Sequence, residues 1–275
     1  ALQKTRLISN VKSAMVSLVN KGSYRSYGLL LVIVMLGASL AGTGATGYYV
    51  LILSLVSTIP YSKKLPTSKL MMPLGFATNH PLLPINLALL FGVTATVLET
   101  AGFHQEISMG RFALVNLIMS AAFLAWSLIA YRFLPDHPIA DASEDALAGT
   151  GFTAMVGDAV AGVLGSGVSP FVFIVAFALL TSTCATFTGS NMGSVYIFAP
   201  IAIAACTSLG LNPTAAAIAV VISGWNGGYM PIDGMPAMIL GMGKYKLPEF
   251  WVFSVPMYLI RILALCAGAV FIFPM

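Results

Sequence analysis

Charge is what this chain lacks. Only 8% of its 275 residues are Asp, Glu, Lys or Arg, whereas 58% are apolar. A soluble domain of that length needs more charge to keep its surface wet, so the composition excludes one and asks for an apolar surrounding. Cysteine is scarce too. Cys184, Cys206 and Cys266 stand in apolar stretches without paired spacing, which leaves them as small core side chains rather than a disulfide or metal framework. A Walker loop, a dinucleotide fingerprint and a metal-ligand cluster are all missing, so nothing here supports ATP-driven transport or an organic cofactor. Gly-x-Ser-x-Gly, His-Glu-x-x-His and acidic dyads are also missing, and an enzyme is not expected, nor a nucleic-acid partner. The basic stretch before the first apolar run is too long for a signal peptide.

What is present is a set of long apolar runs with interruptions at telling places. Residues 1–26 carry Lys4, Arg6, Lys12, Lys21 and Arg25 and no acid, with Leu2, Leu7, Ile8, Val11, Met15, Leu18 and Val19 on the other helical face. That pattern predicts a helix lying in the cytoplasmic interface. The uncharged stretch Ser26 to Ser62 ends at Lys63, Lys64 and Lys69. At ~1.5 Å per residue it is too long for one crossing of ~30 Å and short for two crossings with a loop. Its centre, Ala41-Gly42-Thr43-Gly44-Ala45-Thr46-Gly47, would serve poorly in a continuous helix. The expectation is a re-entrant hairpin over about 27–60.

A broken transmembrane helix is expected at about 66–98, because Asn79-His80-Pro81 and Pro84-Ile85-Asn86 interrupt it with two prolines and two asparagines. A span at about 112–132 follows, closed by Arg132, and a polar linker at 136–149. The rest repeats the first half. Pro213 answers Pro66, Asn226 answers Asn79 and Pro231 answers Pro84, each at an offset of 147 (213 − 66, 226 − 79, 231 − 84). The second copy, 150–275, is expected to hold an interfacial or spanning helix at about 150–166, a hairpin at 169–209, a broken helix at 213–242 and a span at 250–273. The fold class is therefore all-α integral membrane, with two internal repeats.

Broken helices in lipid are costly unless a cavity, an ion or a solute meets their freed backbone groups. Half-helix amino ends suit a carboxylate, phosphate or sulfate, and unwound carbonyls suit a hard cation such as Na⁺. Two tips and two breaks related by pseudo-symmetry would form one central site. Asn79 and Asn226 are candidates to line it. Asp233, an acid at the second break, is expected to couple an ion or proton or else to cap backbone N–H groups; Asn86 is its uncharged counterpart. Arg261, midway along an apolar span, is a possible counter-charge for Asp233 or for an anionic solute, or an arginine facing a scaffold or snorkelling. His80 is read as hydrogen-bonded rather than as a proton relay, and Trp126, Trp225 and Trp251 as packing or interface residues. Asp158 is placed at the interface.

At these residues the chain resembles the divalent anion:sodium symporters, the citrate, dicarboxylate and sulfate carriers of the ion transporter superfamily. Ser190-Asn191-Met192-Gly193-Ser194 followed by Pro200 is similar to that family's Ser-Asn-Thr hairpin tip. Ala1 to Leu7, Leu65 to Leu74, Leu134-Pro135-Asp136 and Gly241-Met242-Gly243 resemble, in order, its interfacial helix, the start of its next helix, the end of its first repeat and a glycine turn. The resemblance implies a dimeric, elevator-type carrier in the bacterial inner membrane, moving a di- or tricarboxylate by symport with Na⁺, or with H⁺. It implies anion contacts at Ser190 and Asn191, with Gly42, Thr43 and Gly44 in the matching first tip, and Na⁺ at nearby backbone oxygens such as those of Gly193 and Gly234. Three departures stand out: Gly42-Thr43-Gly44 for Ser-Asn-Thr, Met192 for threonine, and Pro231-Ile232-Asp233-Gly234-Met235-Pro236 for the family's Thr-Pro-Pro-Asn turn. The family's scaffold helices have no counterpart, so a separate scaffold chain or an incomplete carrier is expected. An inverted second copy needs an odd number of crossings first, and Ala146 to Val168 is the one candidate for the extra one. The competing expectations are a partner-dependent membrane subunit and a channel or passive pore.

Overall fold

The structure, a computed structural model, describes residues 15–19, 21–59, 62–104, 106–139, 169–232 and 234–275. Most of the expected amino-terminal interfacial helix, the linker from 140 onward, the stretch 146–168 with Asp158, and Asp233 lie outside the described residues. The described chain is helical, with no strand. Its helices are α1 (Tyr24–Ala41), α2 (Thr46–Ser57), α3 (Thr67–Ala77), α4 (Ala88–Thr100), α5 (Met109–Ala130), α6 (Pro170–Thr188), α7 (Asn191–Ser208), α8 (Thr214–Gly224), α9 (Gly234–Gly243) and α10 (Leu247–Ile272). Five of them, α1, α5, α6, α7 and α10, are long and apolar enough to cross a bilayer, as in an integral membrane protein.

Local chemistry fixes the boundaries. Ser23 caps α1 by accepting from the Ser26 backbone N–H, and Gly42, at φ 91°, lets the chain leave that helix. Pro66 and Pro213 stand immediately before α3 and α8, which are both 11 residues long. The glycine-bearing turns between α1 and α2 and between α6 and α7 are the two tips. The non-helical stretches 78–87 and 225–232 are the two breaks, which interrupt the chain where the prolines and asparagines predict it.

Packing crosses the two halves of the chain. The second half of each broken helix leaves its own neighbours: α4 packs on α7 and α8, while α9 packs on α2 and α3. The two long closing helices pack on each other. Arg111 lies 4.5 Å from the Phe273 ring, Ile118 abuts Gly268, and Trp126 Nε1 donates to the Phe253 carbonyl at 3.1 Å. Numbering rises along α5 as it falls along α10, so they run antiparallel. The apolar interior divides at the same level. One core joins α1, α2, α3 and α9 to the end of α5 and the start of α10; the other joins α4, α6, α7 and α8 to the opposite parts of those helices.

The outward faces are apolar as well. Leu29, Ile33, Leu36 and Leu40 form an exposed stripe on α1, and Val252, Val255, Leu259 and Leu263 form one on α10. Helical spacing of 3 or 4 gives each a continuous hydrocarbon surface, which suits lipid. Charge collects at one end. Gly22 abuts the Lys64 side chain, Lys69 Nζ sits 5.1 Å from the Tyr131 ring, Tyr24 packs on Tyr131, and Tyr245 donates to the Ser68 carbonyl. These contacts bring Lys21, Arg25, Lys63, Lys64, Lys69, Arg132, Lys244 and Lys246 together, whereas Arg111 lies at the far end of α5.

A candidate substrate cavity between the helix breaks

The first break satisfies its own backbone. Ser39 Oγ, on α1, accepts from the Leu82 and Leu83 N–H groups at 3.0 and 2.9 Å. Asn116 Nδ2, on α5, donates to the Pro81 carbonyl at 3.4 Å. Asn79, only 8% exposed, joins three elements: its Oδ1 accepts from Gly44 N at 2.8 Å and its Nδ2 donates to the Trp225 carbonyl at 2.6 Å. One amide thus holds the first tip, the first break and the second break. The unwound groups were expected to meet a cavity, an ion or a solute; here protein side chains meet several of them, as buried backbone groups require.

The second break is held by a cation. Arg261 of α10 is 1% exposed; its Nη2 donates to the Asn226 and Gly227 carbonyls at 3.0 and 2.7 Å. Its Nη1 donates to Asn226 Oδ1 at 3.4 Å and to His80 Nε2 at 2.9 Å. A guanidinium has only donors, so His80 Nε2 must be the acceptor. The other ring nitrogen, Nδ1, lies 2.7 Å from the Phe76 carbonyl, an acceptor, and therefore carries the proton. His80 is thus a neutral imidazole with both nitrogens engaged, stacked 4.0 Å from Phe123. Among the described residues, every partner of Arg261 is neutral, and its Nε–H is buried with no acceptor.

The tips differ in how their second helices begin. Ser190 Oγ accepts from Gly193 N at 3.2 Å and caps α7, and Gly189 takes the left-handed conformation at φ 65°. Ala45 offers α2 no side-chain cap, and Gly44, at φ 78°, turns its N–H to Asn79 instead. Asn86, expected at an ion site, is exposed and donates to the Leu40 and Ala41 carbonyls at the end of α1, both at 3.3 Å.

Both tips and both breaks border one cavity of about 330 Å³. Its wall takes in Gly44, Asn79, Asn191, Gly234 and Arg261 from the sequence-predicted set. Gly42, Thr43, Ser190, Gly193, Asn86 and Asn226 are not in the wall; Asn226, 1% exposed, stands behind it and supports Arg261. Trp225, read from sequence as a packing residue, faces the cavity, with its indole 3.0 Å from where a Cβ on Gly44 would stand. Sequence reasoning also missed Tyr49, Thr78 and Thr186. A signal existed for Thr186, since it stands at the 147-residue offset from Ser39 (186 − 39), a second small hydroxyl on a helix leading into a tip.

The electrostatics favour a negative group. The amino ends of α2, α7 and α9 open on the wall through Thr46, Asn191 and Gly234. Such ends carry partial positive charge, which the carboxyl ends of α1, α6 and α8 beside them offset, and the buried guanidinium, with neutral partners among the described residues, adds a whole one. Level with the cavity, Thr188, Gly189 and Ser190 are exposed. Comparison of the chain with protein-family models, curated proteins and solved structures finds no match.

Proposed function

We propose that this chain is the substrate-carrying core of a secondary transporter that moves a small organic anion in symport with a cation, Na⁺ being the first to test. One observation carries the reading: two tips, two breaks and Arg261 converge on a single cavity at mid-length of α10. Helices α2, α3 and α8, of 12, 11 and 11 residues, end there. At ~1.5 Å per residue they measure ~16–18 Å, about half of a ~30 Å hydrocarbon layer, which supports broken helices that end near the midplane.

An inverted duplication is the economical account of the packing. The bounds of α3 and α8 differ by 147 at both ends (214 − 67 and 224 − 77), as do Gly42 and Gly189 (189 − 42). Antiparallel closing helices and the exchanged packing of α4 and α9 fit a two-fold axis in the membrane plane. The basic end would face the cytoplasm by the positive-inside rule, fitting a bacterial inner membrane. The resemblance to the divalent anion:sodium symporters adds the elevator motion and the sodium. Exposed polar residues at the second tip would meet lipid unless protein covers them, which supports a homodimer or a separate scaffold chain. The same exposure favours the second reading, a membrane subunit that works only with a partner.

Reconstituted into vesicles, the protein should take up labelled organic acids saturably and faster with an inward Na⁺ gradient than with choline. Asn191→Ala should abolish uptake while leaving membrane insertion intact. Flux regained only on adding a second membrane protein would favour the subunit reading, and single-channel currents far above carrier turnover would overturn both.

A further inference from the structure

The cavity has one whole fixed charge in its described wall. Arg261 is the only Lys or Arg among the lining residues, and the partial charges around it largely offset one another. Each tip pairs the carboxyl end of one helix with the amino end of the next, α1 with α2 and α6 with α7, and the second break pairs the end of α8 with the start of α9. Opposite half-charges side by side leave little net field. Four of the five guanidinium N–H groups are spent on His80, Asn226 and Gly227, all neutral partners, so among the described residues the charge itself is not neutralised.

The rest of the wall limits what else that anion carries. Phe76, Trp225, Met235 and Pro236 give one side an apolar surface, and Thr46, Thr78, Thr186 and Asn191 provide neutral polar groups. A second carboxylate would lie against these side chains with no second cationic side chain among the described lining residues to meet it, and desolvating an unpaired charge is expensive. We infer that the solute is a monoanion, a single carboxylate or sulfonate on a compact and partly apolar body, and that Arg261 sets this choice as the one cationic side chain of the described wall. The inference rests on the carrier reading and narrows it, against the di- and tricarboxylates that the symporter resemblance implies.

The test is ligand-dependent thermal stabilisation of the purified full chain, at constant NaCl, with benzoate, pyruvate and methanesulfonate against succinate, citrate and sulfate. The three monoanions should bind at least tenfold tighter than the polyanions. Wild-type selectivity decides the matter without a variant, because Arg261 also braces the fold and its loss could unfold the protein. Met235→Lys then serves as a gain of charge, and should raise the relative affinity for succinate at least tenfold. Polyanions binding as tightly as monoanions would overturn the inference and leave the carrier standing. Stabilisation by no anion of either class, together with no anion uptake by vesicles, would remove the carrier reading itself and the inference with it.

Discussion

The two breaks occupy equivalent places in the chain and are held in different ways. Asn79 and Asn226 stand 147 residues apart (226 − 79) and both follow an 11-residue helix. Asn79 reaches outward, one end to Gly44 in the first tip and the other to Trp225 in the opposite break. Asn226 turns back, donating from Nδ2 to the Ile222 carbonyl of the preceding helix at 2.7 Å and accepting at Oδ1 from Arg261. Neutral side chains, Ser39 and Asn116, complete the first break, whereas a guanidinium completes the second. Similar backbone shapes thus carry unlike electrostatics: one break ties the cavity together, and the other gives it its charge. On the proposed function, a solute between them would meet a neutral wall on one side and a cation on the other.

The contrast is broken most forcefully at Arg261. Arg261→Ala would leave the Asn226 and Gly227 carbonyls and His80 Nε2 without their guanidinium donors. Uncoupling a buried network of this kind costs about 3–5 kcal/mol, so the variant should be recovered poorly and melt far below wild type in detergent. An unchanged melting temperature would mean that the second break does not depend on the charge. Asn79→Ala comes next. It removes two buried hydrogen bonds that join separate elements and should cost about 2–4 kcal/mol. Asn226→Ala loses one bond inside a helix end and one long bond to Arg261, about 1–2 kcal/mol. Equal losses in the two variants, read from unfolding midpoints, would erase the difference between outward and inward amides.

Much of this arrangement can be read in the sequence, and the part that cannot has a physical reason. Prolines and glycines act through local sterics, so Pro66, Pro213, Gly42 and Gly189 mark helix starts and tips without tertiary information. The 147-residue register follows from the same landmarks. What a side chain touches across the fold is not local. Asn79 and Asn226 look alike in sequence, yet their partners depend on which helix the packing brings opposite each. Asn86 was a plausible ion ligand by symmetry with Asp233, but the first break carries it to the end of α1, where it meets carbonyls. Trp225, read from sequence as a packing or interface residue, is cavity wall, and its carbonyl accepts from Asn79 of the other break. His80 is neutral because a guanidinium from another helix occupies one nitrogen, a fact no window of sequence contains.

The tips sharpen the comparison with smaller effects. Gly44 and Gly189 both have positive φ, at 78° and 65°, so alanine at either costs about 1–2 kcal/mol in backbone strain alone. Only Gly44 has a neighbour to strike: a new Cβ would lie 3.0 Å from Trp225 Cδ1, whereas nothing lies within 4 Å at Gly189. Gly44→Ala should therefore lower the melting midpoint more than Gly189→Ala, and should also perturb Trp225 fluorescence, which Gly189→Ala should leave alone.

The smallest difference is in capping. Ser190→Ala removes the side chain that accepts from Gly193 N and should cost about 1 kcal/mol, while Ala45→Ser supplies α2 with the acceptor it lacks and should gain about 0.5–1 kcal/mol. The two changes pull the tips toward each other's chemistry, so their effects on stability should have opposite signs. If α2 leaves its first N–H groups open because a bound oxyanion uses them, Ala45→Ser should weaken benzoate binding while raising stability in the absence of ligand. Stabilisation with unchanged affinity would show that the anion is held from the Arg261 side alone, and that the missing cap at the first tip has no part in binding.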